Sequence, residues 1–170
     1  MKKRRTKEEI KTNMDVDEFV STLEDALYAA MLSSYAQGYH LIQEAAKEND
    51  WNIDIAEVSR IWEGGCIIRA NILNVLHRAF EKANKDTHLF EIPELAQDLQ
   101  KTIPHLRKIV ALGVQNGIPV SGLSTALSYF DAITSNQVPA NFIQGLRDYF
   151  GAHTYERTDK EGSFHTQWNN

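Results

Sequence analysis

Apolar and small side chains in this chain of 170 residues recur every three or four positions, and this spacing limits the fold more than any other feature. The first such segment, from Phe19 to Ala45, predicts a helix of roughly 30 residues. No segment of useful length alternates apolar and polar residues as a half-buried strand does. The pattern therefore predicts an all-α fold with several helices.

Capping residues and helix breakers divide the chain into seven predicted helices. Asp15 and Asp54 are the expected N-caps of the first two helices, and Gly64-Gly65 ends the second. The other five helices are predicted over residues 67–85, 93–100, 102–117, 121–135 and 139–151. Thr102 is the expected cap of the fifth helix, where Pro104 is tolerated in the first turn.

Three segments follow from this pattern: a basic N-terminal arm or linker over 1–14, a helical domain over 15–151, and an extended irregular tail over 152–170. The tail contains Tyr155, Phe164 and Trp168. Exposed aromatic side chains on a loose terminus are unfavourable, so we expect these residues to dock, either on their own domain or on a partner chain.

Composition and charge exclude several functional classes. There is no run of 18 or more apolar residues, so no membrane association is predicted. The basic arm could contact nucleic acid, but no aromatic residue lies among its charges to stack on bases, so no nucleic-acid site is expected. Cys66, the only cysteine, excludes an internal disulfide, fits a reducing cytoplasm and is expected to be buried.

The residues alone show no recognisable combination of catalytic side chains. None of the six histidines has a metal-ligand spacing, and there is no Cys/His cluster, so no metal site is predicted. A glycine-rich nucleotide loop, a Walker lysine, a serine elbow and a Cys/His nucleophile pair are all missing.

Two runs are unusual for packing alone. Trp62–Arg69 places a glycine pair directly before a predicted helix, although this could be only a tight corner. At the end of the last predicted helix, Arg147 and His153 could bind an anion, since a guanidinium matches phosphate geometry. Alternatively, Arg147 pairs with Asp148 or a helix terminus, and His153 is an ordinary surface histidine.

These runs resemble the decarboxylating 6-phosphogluconate dehydrogenase family from about Phe19 to Trp168. The resemblance is carried by Ser34-Tyr35-Ala36-Gln37-Gly38, Trp62 to Arg69, Gly113-Val114-Gln115, Ala126-Leu127-Ser128-Tyr129, Pro139 to Tyr155, and Phe164-His165-Thr166. It implies the helical C-terminal part of an enzyme that uses NADP to convert 6-phosphogluconate to ribulose 5-phosphate and carbon dioxide.

The resemblance also implies how the functions are divided. In the family, an N-terminal Rossmann domain binds NADP, and the catalytic lysine and glutamate also lie outside this region. We therefore expect no catalytic or cofactor-binding residue in this chain, and no activity from it alone. The helical domain and tail are expected to form a homodimer, in which Arg147 and His153 complete the partner's substrate site and Ile67 lies near the substrate. The alternative is a free-standing helical scaffold or regulatory module.

Overall fold

The computed structural model describes residues 10–168, and the chain divides into two compact units after Phe130. We call the first unit the helical body and the second, from Asp131 onward, the C-terminal unit. The all-α prediction is confirmed, because six helices hold most of the described residues. They are α1 (Val16–Glu48), α2 (Ile55–Glu63), α3 (Ile72–Lys82), α4 (Pro93–Gln115), α5 (Ser121–Thr134) and α6 (Asn141–Gly151).

The core of the helical body lies mainly between α1 and α4. Small residues of α1, including Ala26, Ala29 and Ala36, are completely buried and allow α4 to approach closely. The facing row of α4 comprises Leu95, Leu99, Ile103, Leu106 and Ile109, each at most 5% exposed. Burial of one such side chain contributes about 1.5–3 kcal/mol, so this seam is the main source of stability in the body.

An aromatic cluster joins α2 and α3 to this seam. The ring of Tyr39 in α1 stacks on Trp62 of α2 and meets Phe80 of α3 edge-on, with 4.9 Å between centroids in both pairs. The Tyr39 hydroxyl shares a hydrogen bond of 2.8 Å with Ser59, so its polar end is satisfied although the side chain is fully buried. Three helices are thereby fixed at one point.

The predicted N-caps are confirmed. Asp15 accepts a hydrogen bond of 2.8 Å from the backbone N–H of Glu18. Asp54 accepts from Ala56 at 2.9 Å. Gly64 ends α2 as predicted, and the positive φ of 117° at Gly65 continues the reversal in a region that favours glycine.

The predicted start of the third helix at Ile67 is wrong, because α3 begins only at Ile72. The Tyr35 hydroxyl of α1 donates to the carbonyl of Ile68, and this long-range bond satisfies a group that a helix would otherwise use. The same segment projects outward, so Cys66 is exposed rather than buried as we expected.

The predicted break at Thr102 is also wrong, because Pro93–Gln115 forms one continuous helix. Thr102 does not cap a helix; its hydroxyl donates to the carbonyl of Asp98 at 2.8 Å, one turn earlier. Pro104 therefore lies inside the helix. An interior proline costs about 3 kcal/mol or more, and the buried row on both sides of it, packed on α1, offsets that cost.

The C-terminal unit contains α6 and a small antiparallel hairpin of β1 (Tyr155–Glu156) and β2 (Ser163–Phe164). The seventh predicted helix thus begins at Asn141 rather than Pro139, and the tail expected to be irregular holds this hairpin. The proposed segment boundaries at 14/15 and 151/152 stay a prediction, and most of the basic arm lies outside the described residues. Within residues 10–168, no helix has the length and apolar character that a membrane crossing needs.

Candidate functional site

The chain reverses sharply where α6 ends. Ala152 and Thr154 both have positive φ, 48° and 62°, and His153 lies between them. Such backbone is unusual outside glycine and especially for a β-branched residue such as threonine. Each strained residue costs on the order of 1–3 kcal/mol and persists only where its surroundings hold it. Specific contacts must therefore hold this reversal after α6 (Ala152–Thr154).

Asp148 supplies those contacts from the last turn of α6. Its side chain is completely buried. One oxygen, Oδ1, accepts from the Thr154 backbone N–H at 3.1 Å and from His165 Nδ1 at 2.8 Å. The other, Oδ2, accepts from the Thr166 backbone N–H at 3.0 Å and from Trp168 Nε1 at 2.9 Å. One carboxylate therefore joins the reversal to the end of the tail.

The charge state of Asp148 follows from these donors. Burial alone would raise the pKa of the carboxyl group, but the hydrogen bonds from Thr166, His165 and Trp168 and the charge of His165 outweigh burial and lower the pKa to about 2. The group is therefore ionised at neutral pH. An ionised carboxylate only accepts, so His165 must carry its proton on Nδ1.

Arg147, the neighbour of Asp148 in α6, is exposed, and no ion pair or hydrogen bond holds its guanidinium among residues 10–168. The alternative in which Arg147 pairs with Asp148 is wrong, because the Asp148 oxygens are occupied by donors from the tail. An unpaired guanidinium presents five N–H donors in a planar fork. Arg147 is thus available to bind an anion such as a phosphate or carboxylate.

His153 is exposed within the reversal, and its ring lies over Gly151. A Cβ atom added at Gly151 would lie 2.5 Å from Cδ2 and 2.7 Å from Nε2 of this ring, closer than real contacts allow. Glycine is therefore required at position 151 to keep the His153 ring in this place. Arg147 and His153 are both exposed at the C-terminal end of α6, as the sequence predicted.

Ile67 lies in the helical body, on the segment between α2 and α3, and its side chain is fully exposed. It lines a mainly apolar cleft of about 770 Å³. The other lining residues come from α1, from α2, from the residues next to Ile67 and from residues 119–123 around the start of α5, and include Leu27, Tyr35, Trp62, Arg69 and Leu123. The exposed Ile67 side chain could therefore contact a ligand or another chain.

The tail aromatics dock on their own unit, one of the two possibilities left open by the sequence. The rings of Tyr149 and Trp168 meet edge-on at 5.8 Å, and Tyr155 pairs with Phe164 across the hairpin at 6.3 Å. Among residues 10–168, no group of three or more His, Cys, Asp or Glu side chains is arranged to hold a metal ion.

Sequence reasoning missed the roles of Asp148 and Gly151. Asp148 was treated only as a possible partner of Arg147, because its donors lie 6 to 20 residues further along the chain. The one available signal was the polar and aromatic run His165-Thr166-Gln167-Trp168, whose donors needed an acceptor somewhere. Gly151, directly before an αL residue, signalled a turn but not the ring that lies over it.

Comparison with known proteins places these features in a family context. A family model described as the C-terminal domain of 6-phosphogluconate dehydrogenase matches residues 1–168. Decarboxylating 6-phosphogluconate dehydrogenase 1 of Oryza sativa subsp. japonica is 42% identical over 159 residues, covering 92% of this chain and 33% of that protein. The Treponema pallidum enzyme is 46% identical over 154 residues, covering 89% and 32%.

A solved structure gives the same result. Plasmodium falciparum 6-phosphogluconate dehydrogenase, determined in its apo form and in complexes with its cofactor NADP+ and its substrate 6-phosphogluconate, superposes with a TM-score of 0.84 at 41% identity. The match covers 94% of this chain and 34% of that one. The chain therefore spans about a third of the length of the relatives that it matches.

Proposed function

Since this chain belongs to the 6-phosphogluconate dehydrogenase family and matches its C-terminal domain, we propose that it completes the substrate site of such an enzyme. The complete enzyme oxidises 6-phosphogluconate with NADP and releases carbon dioxide, giving ribulose 5-phosphate. The single observation that carries this proposal is the exposed Arg147, without an ion-pair partner among the described residues, beside the constrained His153.

Each proposed site residue has one role. Arg147 binds the phosphate of 6-phosphogluconate, because a guanidinium can donate two parallel hydrogen bonds to phosphate oxygens. His153 donates a hydrogen bond to the same substrate. Ile67 supplies apolar contact near it. None of the three transfers a proton or hydride in this scheme; they hold a charged substrate in place for chemistry done elsewhere.

We propose that NADP binds outside this part of the enzyme. A dinucleotide site needs a parallel strand, a glycine-rich turn and a helix. The described residues contain only two strands, of two residues each and antiparallel, and the sequence has no matching glycine motif. The coenzyme, the general base and the general acid are therefore assigned to the N-terminal part of the enzyme, and this chain alone is expected to be inactive.

We further propose that the chain acts as a homodimer, so that Arg147 and His153 serve the partner's site. The support is α6, where Phe142, Ile143, Leu146, Tyr149 and Phe150 are all at least 43% exposed. An apolar helix surface of this extent marks an interaction site. Obligate dimer interfaces bury about 2,000 Å² or more, which would cover these side chains.

The other alternative, a free-standing scaffold, is not favoured, because the relatives that match the chain are enzymes of one activity. For the complete enzyme we propose a reducing compartment such as the cytoplasm, in keeping with the single, exposed and unpaired Cys66.

The test joins this chain to the N-terminal half of a relative and measures steady-state kinetics. A charge-assisted hydrogen bond is worth about 1.5–3 kcal/mol, so Arg147→Ala should raise the KM for 6-phosphogluconate by about 10- to 150-fold. The KM for NADP should barely change. Arg157→Ala is the matched control, because that arginine belongs to the same unit but already pairs with Asp159.

Subunit mixing tests the proposed exchange between protomers. An Arg147→Ala enzyme mixed with one that lacks the catalytic lysine should regain activity, since a heterodimer contains one intact composite site. An unchanged KM for Arg147→Ala would contradict the phosphate role. Absence of recovery under conditions of proven subunit exchange would contradict action across the interface.

A further inference from the structure

The C-terminal unit is organised around a buried charge. Between residues 131 and 168, Asp148 is the only buried residue. A buried ionised carboxylate is unfavourable unless all its acceptor sites are used. Its four donors come from the reversal after α6 and from the end of the tail. Burial of the Asp148 carboxylate therefore costs desolvation free energy. The structure that its hydrogen bonds fix must offset this cost.

What the carboxylate fixes is the backbone on both sides of His153. The backbone carbonyl of Asp148 accepts from the Ala152 N–H at 3.0 Å, and its side chain accepts from the Thr154 N–H at 3.1 Å. Residue 148 therefore holds the residue before His153 and the residue after it. Both of those residues have the positive φ that requires outside support.

We propose that Asp148 is the positioning residue that presents His153 to the substrate, by tying the reversal after α6 to the end of the tail. The inference rests on the proposed function, because it assumes that His153 contacts the substrate. Asp148 does not touch the substrate itself. It acts through the backbone of residues 152–154 and fixes the place from which the His153 ring projects.

Asp148→Asn is the most informative variant, because the amide has nearly the same shape but only one acceptor oxygen. All four neighbours are donors, so the new NH₂ group must face two of them. We expect the KM for 6-phosphogluconate to rise about 10-fold or more, with kcat and the KM for NADP nearly unchanged. Asp159→Asn, an exposed carboxylate of the same unit, should leave all three values as they are.

A double-mutant cycle separates positioning from general support of the fold. If Asp148 acts through His153, then Asp148→Asn should raise KM strongly in the parent enzyme but add almost nothing once His153→Ala is present. If the fold increase in KM of the double variant equals the product of the two single-variant increases, the proposal is overturned, because Asp148 would then act independently of His153. An unchanged KM for His153→Ala would overturn it as well.

A second pair of variants covers the case in which Asp148→Asn does not fold. His165 is partly exposed, and its Nδ1 donates to the same oxygen that holds Thr154. His165→Ala removes that donor, whereas His165→Asn places an amide N–H near the same position. We expect His165→Ala to raise the KM for 6-phosphogluconate and His165→Asn to return it toward the parent value. Equal KM values for the two variants would contradict the proposal.

The outcome for Arg147→Ala distinguishes failure of this inference from failure of the proposed function. A raised KM for Arg147→Ala, with no effect of the Asp148 and His165 variants, rejects the positioning role and leaves the substrate site standing. An unchanged KM for Arg147→Ala rejects the substrate site itself. Amide hydrogen exchange at Thr154 in the full chain adds a direct readout, because its protection should be lost in Asp148→Asn.

Discussion

The helical body and the C-terminal unit are stabilised in opposite ways. In the body, most buried side chains are apolar, and completely buried residues such as Leu73, Leu76 and Leu106 pack between helices. In the C-terminal unit, the one buried residue described is the charged Asp148, while Phe142 and Phe150 are more than 70% exposed. The first unit therefore has a buried apolar core, whereas no apolar side chain is buried among the described residues of the second.

This difference indicates which unit can stand alone. A region of 40 residues, 131–170, is near the lower limit for independent folding even with an apolar core. The C-terminal unit buries no apolar side chain among its described residues. Hydrogen bonds to one carboxylate, the two-stranded hairpin and paired aromatic rings hold its shape. We therefore expect the body to fold without the C-terminal unit, and we propose that another surface covers the exposed apolar side chains of that unit.

Alanine substitution of one leucine from each unit is the strongest test of this difference between the units. Leu106→Ala should lower the free energy of unfolding by about 2–5 kcal/mol, because it leaves a cavity at a completely buried site. Leu146→Ala in α6, which is 43% exposed, should change this free energy far less. Denaturant unfolding followed by circular dichroism measures both. Similar losses for the two variants would show that the units do not differ in this way.

The next largest effect is expected in association. Phe150→Ala should weaken dimerisation by about 2 kcal/mol or more if this ring is an anchor of the interface, which corresponds to about a 30-fold higher dissociation constant. Phe150→Leu keeps much of the apolar volume and should weaken it less. Analytical ultracentrifugation over a concentration series gives both values. A monomeric parent chain, or equal dissociation constants for all three proteins, would contradict the proposal that a partner surface covers α6.

The smallest effect is local and depends on pH. The folded pKa of Asp148, about 2, lies below its ordinary value of 3.8, so its stabilising contribution is present above pH 3.8 and is lost as the pH falls toward 2. The indole N–H resonance of Trp168, which donates to this carboxylate, should move in that window. The Trp51 indole in the body serves as reference. A titration midpoint at pH 3.8 or above for the Trp168 resonance would argue against the hydrogen-bonded carboxylate.

Local features of this fold could be predicted from the sequence, and features that depend on distant partners could not. Asp15 and Asp54 were identified as caps because a cap bonds to residues two or three positions away. The start of α3 was misplaced because the Ile68 carbonyl is satisfied by Tyr35, 33 residues earlier. Thr102 and Pro104 indicated a break, but a buried row packed on α1 keeps α4 continuous.

In the candidate site too, local features could be predicted and features that depend on distant partners could not. The positions of Arg147 and His153 at the end of a helix were predicted from the local pattern and from a family resemblance. Asp148 was not, because charge next to charge suggested a surface pair, and its real partners lie in the tail. Burial of a charged side chain is decided by the number of donors that the fold brings to it. That number cannot be read from neighbours in sequence.

The dependence of the reversal after α6 on residues as far along as Trp168 also orders events during synthesis. The ribosome makes the chain from its N-terminus, so α1 and α4 can pack together before residues 154–168 exist. Thr154 lies 6 residues after Asp148, but the Thr166 and Trp168 donors lie 18 and 20 residues after it. The place of His153 can therefore be set only after residues 165–168 have been made, and ending the chain within the hairpin would remove three of the four Asp148 donors.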